Sequence, residues 1–307
     1  MHLTLAPILL FTYKRLDTLK SSVAALQQNY HAGESDLFIF SDAAKTPEDE
    51  IEIANVRSFI KNINGFKNVS IIEANKNRGL ANSIISGVTQ IIQEYEKVIV
   101  LEDDLVTSPN FLTYMNQALS AYKDNLRVFS IAGYTIPVKV SNDYQFDSYF
   151  LPRASSWGWA TWKNRWVGID WKVSTFMQLK KDRAQIKAFN QGGSDMYDML
   201  KKQVTGKIDS WAIRWCYHQF ISNTYTLVPV VSKVQNIGFN NMATHTHVYN
   251  RYTTPLDKGE QITFSFPSEV APDKNLLSQF QSFYSLKTRA VGKIKTYLYK
   301  IGLYKNK

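Results

Sequence analysis

Residues 97–104 read KVIVLEDD, an apolar run of strand length followed at once by three acidic residues. The β-branched composition of 97–101 is typical of a buried strand. Three adjacent carboxylates repel one another, so their ordinary place would be an exposed acidic turn. A divalent cation removes the repulsion, and Mg²⁺ or Mn²⁺ typically binds one or two carboxylates together with substrate phosphates. The stretch therefore predicts a strand that ends at a metal and phosphate site.

Similar apolar runs recur on both sides of this stretch, at 7–13, 36–42, 69–74 and 128–132. Helix-like amphipathic segments alternate with them, near 15–29, 47–62, 79–95 and 108–122, the last with Ser108 as its cap and Pro109 in its first turn. This alternation predicts an α/β fold, with a mostly parallel sheet and helices on both faces. Ligands of such sheets bind outside the carboxyl ends of the strands, which is where the acidic triplet falls.

Composition limits the class of protein. The 307 residues are 44% hydrophobic and 20% charged, which is typical of a globular chain. The single cysteine excludes an internal disulfide and a cysteine-cluster metal site. No stretch approaches the ~20 apolar residues that span a bilayer, and the apolar N-terminal run lacks the flanks of a signal peptide. We therefore expect a cytoplasmic protein.

The familiar phosphate-binding loops are missing from the sequence. Neither GxxxxGK[ST] nor GxGxxG follows any predicted strand, which removes the main support for a kinase, an ATPase or a dehydrogenase. The remaining possibility is a nucleotide that is held through a metal ion and not through a glycine-rich loop. That description fits enzymes that use nucleotide sugars.

The strand that ends in Glu102, Asp103 and Asp104 resembles the metal-binding acidic motif of GT-A fold glycosyltransferases. In scattered motifs over 5–250, the chain is similar to inverting enzymes of the N-acetylglucosaminyltransferase I type and to bacterial polysaccharide sugar transferases. The resemblance implies a Rossmann-like sheet, Mn²⁺ or Mg²⁺, a nucleoside-diphosphate-sugar donor and direct inverting transfer to a glycan or lipid-linked acceptor. It favours a UDP-sugar, with an N-acetylhexosamine as one candidate, and cell-surface polysaccharide synthesis.

The same resemblance assigns roles within the triplet. Asp104 would bind the metal, Asp103 the ribose or donor sugar, and Glu102 the hydroxyls of the donor sugar. His245 is the candidate to complete the metal's ligands or to contact a phosphate. His247 lies two residues further on and would point to the opposite face of a strand. An isolated loop histidine is the alternative for His245.

Further donor contacts are implied near the ends of the first three strands. Thr12 and Arg15 would contact the nucleotide, Asp42 the base, and Arg78 the diphosphate. The ordinary alternatives are a solvated helix start for each arginine and a helix cap or turn for Asp42. In SSWGWATW, residues 155–162, the resemblance places a turn beneath the donor sugar. There Gly158 would allow close backbone approach, and Trp157, or alternatively Trp159, would stack on the sugar.

Direct displacement requires a base on the face opposite the leaving group. The segment GKIDSWAIRW, residues 206–215, resembles the family's acid-tryptophan stretch and places this base at Asp209. The family has two adjacent acids there, whereas Ser210 occupies the second position, so the register is open by one residue. Capping of a helix that begins at Ser210 is the alternative role for Asp209.

Charge is concentrated at the C-terminal end of the chain. The net charge is +10, of which seven basic residues and no acid fall in 285–307. The nearly balanced remainder argues against a nucleic-acid partner. Apolar side chains share one helical stripe of the tail, so we expect 285–307 to bind an anionic membrane surface on the inner face; a solvated tail is the alternative. We expect one catalytic domain over 1–284, with a nucleotide-binding half at 1–135 and an acceptor and lid half at 136–284.

Other functions share parts of this pattern. A retaining glycosyltransferase would use the same metal site without needing Asp209. A sugar-nucleotide pyrophosphorylase would need a glycine-rich N-terminal signature, which TYKRLDTLK at 12–20 does not provide. A non-enzymatic polyanion-binding protein would explain the charge but not the acidic strand end.

Overall fold

The computed structural model describes residues 4–238 and 250–300, with the side chains of Tyr299 and Lys300 left aside. The strands within those ranges are β1 (Ile8–Thr12), β2 (Asp36–Ser41), β3 (Asn68–Glu73), β4 (Lys97–Glu102), β5 (Leu105–Thr107), β6 (Val128–Ala132), β7 (Ser148–Leu151), β8 (Trp159–Trp162), β9 (Tyr225–Pro229) and β10 (Val234–Asn236). The α-helices are α1 (Leu16–Gln27), α2 (Glu50–Ile60), α3 (Gly79–Tyr95), α4 (Phe111–Ala121), α5 (Lys163–Trp166), α6 (Phe176–Lys181), α7 (Arg183–Phe189), α8 (Met196–Val204), α9 (Trp211–Ile221), α10 (Lys274–Phe283) and α11 (Leu286–Lys300).

Eight strands form one sheet in the order β3-β2-β1-β4-β8-β6-β9-β7. Strands β3, β2, β1 and β4 are parallel, and β6 and β9 are parallel to each other. Strand β8 runs antiparallel between β4 and β6, and β7 runs antiparallel beside β9. The predicted α/β class is thereby confirmed, with a mostly parallel sheet and a mixed C-terminal portion, an arrangement consistent with a GT-A type fold.

Helices cover both faces of the sheet. Along β1, Ile8 and Leu10 belong to a core cluster with side chains from α1, α2, α4 and α10, whereas Leu9 and Phe11 belong to a second cluster with side chains from α3, α8 and α9. Burial on both faces explains why this strand reads as a continuous apolar run rather than as an alternating one. Each such side chain contributes about 1.5–3 kcal/mol through its burial.

Helix α4 begins later than its sequence suggests. A helix starting at Ser108 was expected, but α4 starts at Phe111. Ser108 Oγ donates to Asn110 Oδ1 at 2.8 Å, and Asn110 Nδ2 donates to Asp257 Oδ1 at 3.0 Å. These polar side chains tie the start of the helix to the C-terminal part of the chain and do not cap α4.

A small second sheet brings a distant segment to the end of β4. Strand β5 pairs antiparallel with β10, and the pairing is continued by Ile237 N, which donates to Asp104 O at 2.9 Å. Residues 234–238 therefore lie beside the acidic triplet. The three-residue strands were too short to be predicted from periodicity.

Candidate functional site

The carboxyl ends of β1 and β4 meet in a cluster of charged side chains. Thr12 Oγ1 and Tyr13 N each donate to Asp103 Oδ2 at 3.1 Å, and Asp103 is buried. Arg15 donates from Nη1 to Asp104 Oδ2 at 2.9 Å and from Nη2 to Asp103 Oδ1. One guanidinium thus spans two adjacent carboxylates. We call Arg15, Glu102, Asp103 and Asp104 the acidic cluster.

Glu102 completes the cluster as the last residue of β4. Burial, reinforced by the negative charges of Asp104 and Asp103, raises the pKa of Glu102 to about 8. The shift favours the protonated carboxyl group, which offers both a hydrogen-bond donor and an acceptor. When all four groups are ionised, three carboxylates face one guanidinium, which leaves an excess of two negative charges.

The acidic cluster suits a divalent cation that shares its ligands with a phosphate. Its ligands would be carboxylate oxygens, which Mg²⁺ and Mn²⁺ prefer. Among residues 4–238 and 250–300, no three or more histidine, cysteine or acidic side chains gather as a complete metal site. The backbone of Gly238 passes over Asp104, where a Cβ would stand 2.5 Å from Oδ2. His245 lies outside the described residues.

A cavity of about 350 Å³ opens on the β1–β2 side of the acidic cluster. We call it the acidic cavity; it is lined by Phe11, Thr12, Tyr13, Arg15, Phe40, Asp42, Lys45, Asn77, Gly79, Leu80, Ser83, Glu102 and Asp103. Two of its rings, Phe11 and Phe40, stack with centroids 4.8 Å apart. The cavity therefore joins an apolar, aromatic wall to a charged end, and its volume is in the range of small-molecule sites.

Asp42 lines the acidic cavity and also holds the start of α3. Its carboxylate accepts from the backbone N–H groups of Ala43, Arg78 and Gly79, each at 2.9 Å. A carboxylate at a helix N-terminus satisfies unpaired donors and complements the helix dipole. The structure thus shows the capping role that was one alternative for Asp42, while a contact with a base remains a prediction.

Arg78 points away from the acidic cluster. Its Nη1 lies 3.5 Å from Ser86 Oγ, and the residue lines a separate small pocket with Ile72 and Ala74. It is not among the residues that line the acidic cavity. A contact with a diphosphate there would require a different side-chain rotamer.

A second cavity of about 350 Å³ lies on the β8 side of β4. We call it the aromatic cavity; its lining is Tyr134, Thr135, Ile136, Leu151, Arg153, Ala154, Ser155, Ser156, Trp157, Met199, Ser210, Ala212, Ile213, Cys216, Val228, Tyr252, Phe280 and Tyr284. The antiparallel register of β4 with β8 reaches the pair Val100–Trp159. Glu102 and Trp157 each lie two positions beyond that pair, at the same edge of the sheet. Both cavities therefore open at this edge of the sheet.

The Ser-Ser-Trp-Gly-Trp turn divides its residues between cavity and core. Trp157 lines the aromatic cavity, whereas Trp159 is 1% exposed within the core. Gly158 has φ +59°, and a Cβ on it would lie 2.8 Å from Val234 Cγ1 and 3.3 Å from Leu101 Cδ2. The close approach that Gly158 permits is thus to core side chains. Of the two tryptophans considered for sugar stacking, Trp157 is the one that lines a cavity.

Asp209 lies on the surface next to the aromatic cavity. Its side chain is 61% exposed and pairs with Arg214 Nη2 at 3.2 Å. Ser210, which lines the cavity, caps α9 by accepting from Ile213 N at 3.3 Å. Because Ser210 fills the capping position, the capping alternative for Asp209 is not what the structure shows.

Sequence reasoning missed the ion pair in the wall of the aromatic cavity. Arg153 contacts both carboxylate oxygens of Asp195, at 3.0 and 3.2 Å, and lies 4.3 Å from the ring centroid of Tyr284. These residues are far apart in the sequence and belong to no local pattern. Only the folded chain brings them together.

Comparisons with known proteins give partial likenesses. No family model matches the chain, and no curated protein matches it in sequence. The solved mannosyltransferase PcManGT from Pyrobaculum calidifontis, in complex with GDP-Man and Mn²⁺, is similar over 53% of this chain and 48% of its own, with 10% identity and a TM-score of 0.34. S. aureus TarS is similar over 75% of this chain and 36% of its own, with 8% identity and a TM-score of 0.40. TarS 1–349 in complex with UDP is similar over 74% of this chain and 59% of its own, with 8% identity and a TM-score of 0.39.

The chain thus spans between about a third and three fifths of the length of these solved proteins. Because every one of these TM-scores is below 0.5, the function of the chain has to be argued from its own residues.

Proposed function

We propose that the chain is a metal-dependent glycosyltransferase that transfers a sugar from a nucleoside-diphosphate sugar to a glycan or lipid-linked acceptor, as in cell-surface polysaccharide synthesis. The observation that carries this proposal is the acidic cluster. Arg15 holds Asp103 and Asp104 together at the ligand-binding edge of an α/β sheet, beside a cavity of about 350 Å³ and at the same edge as a second of about 350 Å³. An exposed acidic turn would need neither the bridging arginine nor the adjoining cavities.

The acidic cavity is proposed to hold the donor nucleotide. The apolar faces of Phe11 and Phe40 suit a nucleobase, and Thr12, Arg15 and Asp103 at the charged end suit the ribose and phosphates. A UDP-sugar, with an N-acetylhexosamine among the candidates, follows from the sequence resemblance. Arg78 would join the diphosphate only after changing its rotamer.

Asp104 is proposed to hold Mn²⁺ or Mg²⁺, with His245 as a further ligand. When bound, the ion supplies positive charge that stabilises the leaving nucleoside diphosphate. Arg15 positions the Asp104 carboxylate and adds its own positive charge at the same place. Glu102 would form a hydrogen bond with a hydroxyl of the donor sugar.

Asp209 is proposed as the general base of an inverting transfer. Its carboxylate would accept the proton of the acceptor hydroxyl as that oxygen bonds to the anomeric carbon and the bond to the diphosphate oxygen breaks. The side chain is exposed and therefore reachable by an incoming acceptor, and Arg214 restrains its orientation. A retaining transferase, the competing mechanism, would not depend on Asp209.

A donor screen tests the proposed activity without knowledge of the acceptor. Purified protein and Mn²⁺ are incubated with UDP-glucose, UDP-galactose, their N-acetylhexosamine counterparts and GDP-mannose, and the release of nucleoside diphosphate is measured. We expect slow hydrolysis of at least one UDP-sugar, abolished by EDTA and by Asp104→Ala. Asp124→Ala, at a highly exposed acid distant in sequence from the cluster, is the matched control. The proposal would be contradicted if no donor released nucleoside diphosphate.

Helix α11 is proposed to bind an anionic membrane surface on the inner face, close to a lipid-linked acceptor. Leu286, Ile294 and Tyr297 lie on one face of this helix and are 71%, 59% and 64% exposed. Lys287 and Lys293 flank that face and are also exposed. An apolar stripe between lysines, in a segment without acids, is complementary to anionic headgroups. Within the described ranges, no helix is long and apolar enough to span a bilayer.

Vesicle co-sedimentation tests this membrane contact. We expect the full chain to pellet with vesicles that contain about 30% phosphatidylglycerol and to stay in the supernatant with pure phosphatidylcholine. The double variant Leu286→Ser, Ile294→Ser should lose the association. Ile51→Ser, which removes an equally exposed apolar side chain from α2, should retain it. Undiminished pelleting of the double variant would refute the docking role of α11.

A further inference from the structure

We infer that the aromatic cavity is a binding site for a neutral saccharide, and that this saccharide is the acceptor. The inference rests on the proposed glycosyltransferase function and adds the location and chemical class of the second substrate. The cavity of about 350 Å³ opens at the same sheet edge as the acidic cavity, on the β8 side of β4, and is large enough for a small-molecule ligand.

Aromatic rings form one wall of the cavity. Trp157 packs edge-on against Tyr134, with centroids 4.6 Å apart, and against Tyr252, with centroids 5.7 Å apart. Tyr284 adds a fourth ring, 6.4 Å from that of Tyr252. Indole and phenol rings combine an apolar face with a polar tip, which suits a sugar because a pyranose has an apolar C–H face and a hydroxylated rim.

The charge of the cavity wall is already balanced. Arg153 is the one charged residue among the described residues that line the cavity. Its guanidinium donates hydrogen bonds to both carboxylate oxygens of Asp195 and lies over the Tyr284 ring. Because the charge of Arg153 is already compensated by Asp195, the lining offers an anionic ligand no uncompensated positive charge. The cavity therefore favours a neutral saccharide over a phosphorylated or uronic-acid sugar.

A small number of hydroxyl groups is available to orient such a ligand. Ser155, Ser156 and Ser210 lie in the lining, whereas the hydroxyl of Thr135, also in the lining, is already hydrogen-bonded to Ile136 O and Tyr149 Oη. Ser210 Oγ and Ser155 Oγ accept from backbone N–H groups at 3.3 Å, and each hydroxyl hydrogen remains to be shared with a ligand. A mostly apolar cavity with a few placed polar groups is the usual composition of a small-molecule site.

The position of the cavity fits the geometry of an inverting transfer. Trp157 lies just outside β8, at the sheet edge where β4 ends at Glu102, so the cavity and the acidic cluster share that edge. Ser210, which is also in the lining, directly precedes α9 and adjoins Asp209 in the sequence. A saccharide in the cavity would therefore lie near the proposed base, at the same sheet edge as the donor cluster.

Cys216 provides a local reporter for this site. It is the single cysteine of the chain, is 4% exposed and lines the aromatic cavity. The experiment measures the rate at which methyl methanethiosulfonate modifies Cys216 in the full-length protein under alkaline conditions, with and without saccharides. The probes are cellobiose, lactose and N,N′-diacetylchitobiose as neutral disaccharides, and a uronic-acid disaccharide of the same size as the anionic counterpart.

We expect at least one neutral disaccharide to slow the modification threefold or more at saturation, and the uronic-acid disaccharide to have no such effect. Trp157→Ala should abolish the protection, whereas Tyr30→Ala, at an exposed ring outside the cavity, should retain it. Circular dichroism checks that both variants are folded, and saturation-transfer NMR measures their saccharide binding independently. No protection by any neutral disaccharide, or equal protection by the anionic one, would overturn the inference.

The same assay separates this inference from the proposed function. Asp104→Ala is expected to lose nucleotide binding while keeping saccharide protection of Cys216. Nucleotide binding without saccharide protection would contradict the acceptor site alone. Saccharide protection in a protein that binds no nucleotide would contradict the glycosyltransferase and leave a saccharide site in place.

Discussion

Gly238 lies so close to Asp104 that a single added methyl group would collide with the carboxylate. A Cβ on Gly238 would stand 2.5 Å from Asp104 Oδ2 and 3.1 Å from Arg15 Nη1. Strand β10 brings this backbone to the acidic cluster by pairing with β5, directly after the triplet. The space around the proposed metal ligand is therefore set by a residue more than 130 positions away in the sequence.

Gly238→Ala should weaken Mn²⁺-dependent nucleotide binding by about tenfold or more. The methyl group must push aside either the Asp104 carboxylate or the guanidinium that positions it. Titration calorimetry with UDP in the presence of Mn²⁺ measures the loss. Gly33→Ala, where a Cβ meets nothing within 4 Å, is the control. Equal affinities for the two variants would show that Asp104 does not need its observed position.

Arg15→Lys should impair the acidic cluster although it preserves the charge. The guanidinium reaches Asp103 and Asp104 through two different nitrogens, which a single ammonium group cannot reproduce. Because Arg15 is 42% exposed, we expect a stability loss of only about 1 kcal/mol in urea unfolding, together with a clear loss of nucleotide binding. Arg183→Lys, on the surface of α7, should change neither measurement. Unaltered nucleotide binding in Arg15→Lys would contradict a bridging role for the guanidinium.

Gly158→Ala should destabilise the fold by about 2 kcal/mol or more, because alanine at φ +59° is strained and its methyl group overlaps Val234 Cγ1. Gly206 has a similar φ of +71°, but a Cβ on it would meet nothing within 4 Å. Gly206→Ala should therefore lose only about 1 kcal/mol, from backbone strain alone. Urea unfolding of both variants measures the difference. Equal losses would mean that the core relaxes around residue 158.

Asp49 should make the stability of the loop before α1 sensitive to acid. Hydrogen bonds from Lys14 Nζ at 2.6 Å and Tyr13 Oη at 2.7 Å lower the pKa of Asp49 from 3.8 to about 2. The ionised form is favoured by folding, so its stabilisation is present above about pH 4 and is lost as pH falls toward 2. Near neutral pH the wild type should have a higher Tm than Asp49→Asn, and this difference in Tm should decrease as the solution is acidified. A gap that is constant with pH would contradict the ion pair, and Asp124→Asn serves as the exposed control.

Much of the first half of the fold follows from sequence pattern. Strands β1 to β4 and β6 begin and end within one residue of the predicted runs. Burial on both faces makes β1, β4 and β6 continuously apolar, which explains why they can be recognised in the sequence. The position of Arg15 near the acidic triplet also follows, since the carboxyl ends of adjacent parallel strands share one edge. Strands β5 and β10 were missed because three residues show no periodicity.

The parts of the site that depend on contacts between distant residues could not be predicted from the sequence. Nothing local links Arg153 to Asp195 or Gly238 to Asp104, and each pair is joined by the packing of separate elements. The direction of the Arg78 side chain and the backbone contacts of Asp42 likewise depend on how β2 and α3 meet. The roles that sequence motifs assign to these residues therefore depend on contacts that only the folded chain forms.

Joint dependence on metal and nucleotide is the property that most directly distinguishes a metal-dependent donor site from an acidic turn. Thermal melting of wild type, Asp104→Ala and Asp124→Ala is followed with Mn²⁺ alone, UDP alone and both together. We expect wild type and Asp124→Ala to be stabilised only by the combination, by about 2.7 kcal/mol at a hundredfold excess over Kd, and Asp104→Ala to show no rise. A rise with UDP that persists without Mn²⁺ and in Asp104→Ala, or no rise with any nucleoside diphosphate, would contradict the proposed site.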